Sequence, residues 1–311
     1  MARRVLITGA TGFIGKKLTT ALSKQGFAVR AAARDPSAII AVGEVERVAL
    51  PDLARPVDWS PLLDGVTEVV HLAGIAHAPG TLPDDAYTRI NAEAVGELAE
   101  QARSKVERLV FVSSVRAQAG LSADRAITES DEPEPTDAYG RSKLDAERLL
   151  AASGARYTVL RPAVLYGKGV KGNIAALATL AKTPMPLPFG ALDNRRSLLA
   201  LDNFVTAVTH VLDTEEALGE TYLVADAEPI TVADLVAAMR EGLGRPPHLV
   251  KVPAGAVRRI LKSVGREADW ERVSGEFVVD VSKLMATGWR PHVETHAGII
   301  RMMRAENGAA A

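Results

Sequence analysis

The chain has no cysteine. That removes disulfides, thiolate metal sites and a cysteine nucleophile together. It also fits a reducing compartment, so a cytoplasmic location is the expectation. Long apolar runs are missing too. No stretch approaches the ~20 apolar residues needed to span a bilayer, and the run after Arg3 and Arg4 breaks at Thr8 and Gly9, too early for a signal peptide. No membrane partner is expected. The formal net charge is only -1, which gives no general attraction to nucleic acid, although a local basic patch can still meet a phosphate-bearing small molecule. Internal repeats are absent, and no metal is expected.

What is present is 311 residues with 47% hydrophobic content, enough to bury a substantial core in one large domain or two intimate lobes. The chain is organised around Val5 to Gly15, VLITGATGFIG, an apolar run opening into Gly9, Gly12 and Gly15. Val5, Leu6 and Ile7 suit a strand buried on both faces, and helical spacing resumes at Phe13, Ile14 and Leu18. Glycine serves where backbone takes positive φ or approaches a ligand closely, and a helix N-terminus offers unpaired N–H groups to a pyrophosphate. The chemistry implied is dinucleotide binding, with Gly9, Thr11, Gly12, Phe13, Ile14 and Gly15 at the phosphates.

A second strand runs from Ala28 to Ala33. An acidic residue at its end would accept hydrogen bonds from the ribose of NAD, whereas arginine suits the 2′-phosphate of NADP. Ala33 occupies the acid's place and Arg34 follows, so NADP(H) is favoured; Asp35, close to the expected distance, keeps NAD(H) as the alternative. Further strands are read at Glu46 to Leu50, Val66 to Leu72 and Leu109 to Ser114. Asp52 with Leu53, and Ala73 with Gly74, stand in the loops that flank a cofactor at the carboxyl ends of a parallel sheet. Tyr87 to Ser104 has a long helical pattern in which Asn91 is either buried or on a solvated face. His71 reads as a packed strand residue, and His77 as a candidate substrate contact. Tyr139 and Lys143, four apart, share a helix face.

In order and spacing these residues resemble the extended short-chain dehydrogenase/reductase family, in particular its nucleotide-sugar epimerase and reductase branch. The resemblance covers nearly the whole chain and is carried by the glycine turn, Asp52-Leu53, HLAG at His71 to Gly74, Ser113-Ser114, Tyr139 with Lys143, and RPAVLYG at Arg161 to Gly167. It implies an α/β fold, a doubly wound parallel sheet of Rossmann type with a smaller interleaved C-terminal substrate lobe. The dinucleotide lobe is expected over residues 1–167, with 196–215 returning to it. The substrate lobe is expected over 168–195 and 216–304, and 305–311 is a frayed tail.

A phenol with a pKa near 10 is a weak base unless a nearby cation stabilises its phenolate, and Lys143 is the cation available. The resemblance makes Ser114, Tyr139 and Lys143 catalytic, with Ser114 orienting the substrate oxygen and Lys143 also holding the nicotinamide ribose. Pro162 joins the cofactor contacts. Val115 to Gln118 replace the Asp-Glu pair that a sugar dehydratase would show, so dehydration drops out. Similarity to sugar-nucleotide relatives puts Asn173 and Arg196 on the diphosphate, with Arg272 as a second diphosphate contact. The activity expected is NADP-dependent reduction of a keto group on a UDP- or dTDP-linked sugar, with Tyr139 giving the proton. The alternative is an NAD-dependent UDP-sugar 4-epimerase using the same residues. Reduction of a non-sugar ketone, or a non-catalytic NADPH-binding sensor, are lesser readings. Relatives dimerise through helices matching Tyr87 to Ser104 and Tyr139 to Ser153, so a homodimer is expected.

Overall fold

The computed structural model describes residues 3–40, 43–75, 82–263, 270 and 274–308. Its centre is a seven-stranded sheet built from β1 (Arg4–Thr8), β2 (Ala28–Ala33), β3 (Val45–Ala49), β4 (Glu68–His71), β5 (Arg108–Val112), β6 (Tyr157–Pro162) and β10 (Thr221–Val224). The order is β10-β6-β5-β4-β1-β2-β3, and every pairing is parallel.

A parallel sheet is covered on both faces, which is why its strands are apolar without alternation. Val5 and Ile7 point to one face with Leu18 and Leu22 of α1 (Phe13–Lys24) and Phe204 and Val208 of α7 (Leu201–Asp213). Leu6 points to the other, with Leu62 of α2 (Ser60–Leu63) and, beyond the short α3 (Asp84–Tyr87), Leu98 of α4 (Ala94–Ala102) and Leu150 of α5 (Ala138–Ala152). The strand order reverses between β1 and β4. There, at the carboxyl ends, a crevice opens for a ligand.

The remaining strands pair outside this sheet: β7 (Val164–Tyr166) with β9 (Leu198–Ala200), and β8 (Arg195–Arg196) with β11 (Ile230–Thr231). With α6 (Gly172–Ala181), α8 (Val232–Gly242) and the C-terminal helix Thr295–Glu306 they enclose a second core around Tyr166, Ile174, Leu235, Met239, Ile299 and Met303. One strand differs from the sequence boundary. β10 falls inside the span read as substrate lobe, yet its register with Val159 to Pro162 of β6 adds it to the large sheet. A four-residue run carries no signal of which sheet it will join. No helix among the described residues is long and apolar enough to cross a membrane.

Candidate active site

The three glycines do three separate jobs. Gly9 has φ +71, and a Cβ there would lie 3.0 Å from the Ala73 nitrogen, so this turn crosses the end of β4 only without a side chain. A Cβ on Gly15 would fall 2.2 Å from the Gly9 carbonyl oxygen, which makes Gly15 the condition for seating α1 against the turn. Gly12 caps α1 with no side chain over its first N–H groups, and a Cβ there would meet only the Gly9 oxygen at 3.1 Å. The turn is held by the Gly12 N–H donating to the Gly9 carbonyl at 2.9 Å. Exposed N–H groups at a helix start, reached through a cradle that a methyl group would narrow, fit a pyrophosphate.

Beside the turn lies a cavity of about 470 Å³ lined by Gly9, Thr11, Gly12, Ala33, Arg34, Asp52, Leu53, Ala73 and Gly74, with Leu50, Pro51, Leu72, Ile75 and Ile90 completing its walls. The sequence-predicted adenosine-side residues therefore come together on one surface. Arg34 is on that wall. Asp35 is turned to its own loop, its carboxylate accepting from the Ser37 N–H at 3.0 Å and the Ser37 hydroxyl at 2.6 Å, and these bonds hold it below the usual carboxylate range.

Catalytic candidates come from β5 and α5. Ser114 follows the end of β5, and its Oγ accepts from the Arg116 N–H at 3.1 Å. Asp137 caps α5 by accepting from the Gly140 N–H at 2.7 Å, which fixes the turn that carries Tyr139. Tyr139 is partly buried and pushed up to about 12, chiefly by burial, with its hydrogen bond to Ser114 and the charge of Arg116 opposing the rise. At neutral pH it holds its proton and stands as a donor. Lys143 is buried, donates to the Val112 carbonyl at 3.0 Å and lies 4.8 Å from the centre of the Phe111 ring. Burial lowers it to about 8, against the raising effect of Glu147. The Arg116 guanidinium is paired with Asp137, and the lysine rests on the β5 carbonyl.

The supporting residues were mostly invisible in the sequence. Asn91 sits fully buried in a π-helical turn, Thr88–Glu93. Its side chain accepts from the Ile75 N–H at 2.7 Å and donates to the Ile75 carbonyl and the Ser142 hydroxyl, so it ties the loop after β4 to α5. The signal was there, a polar residue on the apolar face of a helix, but periodicity alone left it undecided. A Cβ on Gly74 would come within 2.7 Å of the Asn91 oxygen, which explains that glycine. Glu147, one turn beyond Lys143, accepts from Ser113 and from Arg161, whose Nε is 3.0 Å away. Arg161 in turn donates to Gln118.

His71 is a core residue. It is wholly buried against Trp59 and Phe111, with Nδ1 3.0 Å from the Thr8 hydroxyl. Pro162 ends β6 in the large sheet. Asn173 lies exposed in the first turn of α6, whose cap is Lys171 and carries no side-chain bond. Arg196 donates to the carbonyls of Gly275 and Leu121 and stacks over Phe277, so its guanidinium first serves to join two chain segments. His77 and Arg272 lie outside the described residues.

A dinucleotide cradle at the sheet's switch point, with serine, tyrosine and lysine at the ends of β5 and the start of α5, defines an NAD(P)-dependent oxidoreductase or epimerase of the extended short-chain dehydrogenase type. The chain belongs to the NAD dependent epimerase/dehydratase family, whose model matches residues 5–225. It is 32% identical over 308 residues to a UDP-glucose 4-epimerase of Vibrio cholerae, covering 94% of this chain and 92% of that one. It is 28% identical over 312 residues to a GDP-6-deoxy-D-mannose reductase of Pseudomonas aeruginosa, covering 94% and 93%. The fold matches the structure of MoeE5 in complex with UDP-glucuronic acid and NAD, with a TM-score of 0.76 at 24% identity, over 97% of this chain and 99% of that one.

Proposed function

We propose that the chain reduces a keto group on a UDP- or dTDP-linked sugar and uses NADP(H). The observation that carries this reading is Arg34 on the wall of the adenosine-side cavity, while the neighbouring carboxylate of Asp35 is tied to Ser37. A guanidinium there suits a 2′-phosphate, and the acid that lines the cavity, Asp52, stands beyond β3 and not at the end of β2 where a ribose diol is recognised. When bound, the dinucleotide supplies the hydride. Tyr139, protonated at neutral pH, gives its proton to the substrate oxygen, Ser114 orients that oxygen, and Lys143, one helical turn on, supplies positive charge. Asn173 and Arg196 would take the diphosphate. A second copy of the chain would pack on α4 and α5, where Leu149 is 42% exposed beside Gly96.

A UDP-sugar 4-epimerase is the second reading, favoured by the similarity to the Vibrio cholerae enzyme. Thermal-shift titration with NADPH and NAD, followed by turnover on a panel of nucleotide-linked keto sugars, separates the two. NADPH is expected to stabilise the protein at the lower concentration and to be consumed mole for mole. Tyr139→Phe should lower kcat by ~10²–10⁴-fold with dinucleotide binding intact. Purification with bound NAD, and interconversion of UDP-glucose with its 4-epimer without net consumption of dinucleotide, would replace the reductase with the epimerase.

A further inference from the structure

A second and larger cavity, about 860 Å³, meets the glycine turn and shares only Thr11 and Gly12 with the adenosine-side cavity. Both lobes build it. The turn and α1 contribute Phe13, Lys16, Lys17 and Thr20, the loop after β7 contributes Gly167 to Gly169 and Lys171, and the C-terminal helix contributes Gly298, Arg301 and Met302.

Its charge is lopsided in a chain whose formal net charge is -1. Lys16, Lys17, Lys168, Lys171 and Arg301 face a single carboxylate, Asp202. That carboxylate is already occupied on both oxygens, Oδ1 by Lys17 at 2.7 Å and Oδ2 by Arg301 at 2.7 Å. Among the described residues, Lys16, Lys168 and Lys171 have no ion pair. Gathering like charges around a concave wall focuses a positive field, and a multivalent anion relieves the repulsion among them. The volume exceeds what one phosphate fills and falls within the ~300–1,000 Å³ of small-molecule pockets. Part of the wall is apolar, with Phe13, Ile40, Leu201 and Met302, and Ile40 is 57% exposed.

We propose that this cavity binds an organic anion carrying two or more phosphate groups, beside the dinucleotide site and adjoining it at Thr11, Gly12 and Phe13, with Lys16, Lys168 and Lys171 on the phosphates and Ile40, Leu201 and Met302 on the organic part. The site is independent of the reductase reading. Because both lobes contribute to the walls, occupancy would hold the lobes together.

The test is calorimetric titration of the full chain, saturated with its dinucleotide, using inorganic tripolyphosphate and then ATP. Both should bind, ATP the tighter, and both should weaken as salt rises. Lys168→Glu with Lys171→Glu, two exposed loop positions, should weaken each by tenfold or more while dinucleotide affinity, turnover and melting temperature stay as in the parent. Three results would overturn the proposal: no binding to the saturated protein, equal binding to the double variant, or loss of tripolyphosphate binding on dinucleotide saturation. The last would put the anion on the glycine turn itself. ATP binding no tighter than tripolyphosphate would overturn the assignment of an organic part.

Discussion

His71 stands beside Lys143 in the core, and both burial and that cation push it down to about 3. The unfolded chain has a histidine near 6.5, so below that pH it takes up a proton that the folded chain refuses. Stability from this group is therefore full above about 6.5 and is withdrawn as pH falls toward about 3, by up to ~1.4 kcal/mol per unit. Urea unfolding at pH 7 and pH 5 should show His71→Asn losing ~2 kcal/mol less between the two than the parent, whatever its stability at pH 7. Arg34 has a different role, because its worth lies in a ligand contact. Hydrogen bonds to charged groups contribute ~1.5–3 kcal/mol, so Arg34→Ala should weaken NADPH by ~10–100-fold and leave NAD nearly unchanged, as read by titration. Equal loss for both dinucleotides would remove the basis for NADP(H).

α5 presents Tyr139, Lys143 and Glu147 at intervals of four, hence along one stripe facing the sheet. The helix places two catalytic candidates and the carboxylate that sustains one of them. Glu147 raises Lys143 while also anchoring Ser113 and the buried Arg161. Glu147→Gln should then have two separable effects. Stability should fall by ~3–5 kcal/mol, since Arg161 is left as an uncompensated buried charge. If turnover needs the Lys143 ammonium, kcat/KM of the parent should fall as pH rises through about 8, and in Glu147→Gln that alkaline limb should move to lower pH. A pH profile that stays put in the variant would show that the limb belongs to another group.

The lobes are joined by a buried polar network centred on Asn203 of α7 and Asp226 beyond β10. Asn203 donates to Asp226 at 2.7 Å and to the Val293 carbonyl at 2.8 Å, and accepts from the His292 and Val293 N–H groups. Asp226 accepts from the Ala200 N–H at 2.9 Å and from the Tyr166 hydroxyl at 2.8 Å. Burial raises its carboxyl, so the network works only when every partner is present. Asn203→Ala would take a partner from four groups at once; Asp226 keeps Ala200 and Tyr166, while the Val293 carbonyl and the His292 and Val293 N–H groups lose theirs, and an unsatisfied buried group costs ~1–3 kcal/mol. The expected loss is therefore about 3 kcal/mol or more, measurable as a lower midpoint in urea or a lower melting temperature.

Local rules made much of this protein readable from the chain alone. The glycine turn, the strands that flank it, the Thr231 cap on α8 and the Tyr139–Lys143 spacing depend on residues within a few positions of one another, where sterics and periodicity leave one choice. Trp289 is 3% exposed and donates to the Thr206 hydroxyl. Tertiary structure decided the rest. That β10 joins β6, that Asn91 reaches Ile75 and Ser142, that Lys143 rests on Val112 while Arg116 pairs with Asp137, and that Arg196 is held by Gly275 and Leu121 all depend on contacts between distant segments. Such contacts have no period to read, because a hydrogen bond across tens of residues is set by how the layers pack and not by the neighbours in sequence.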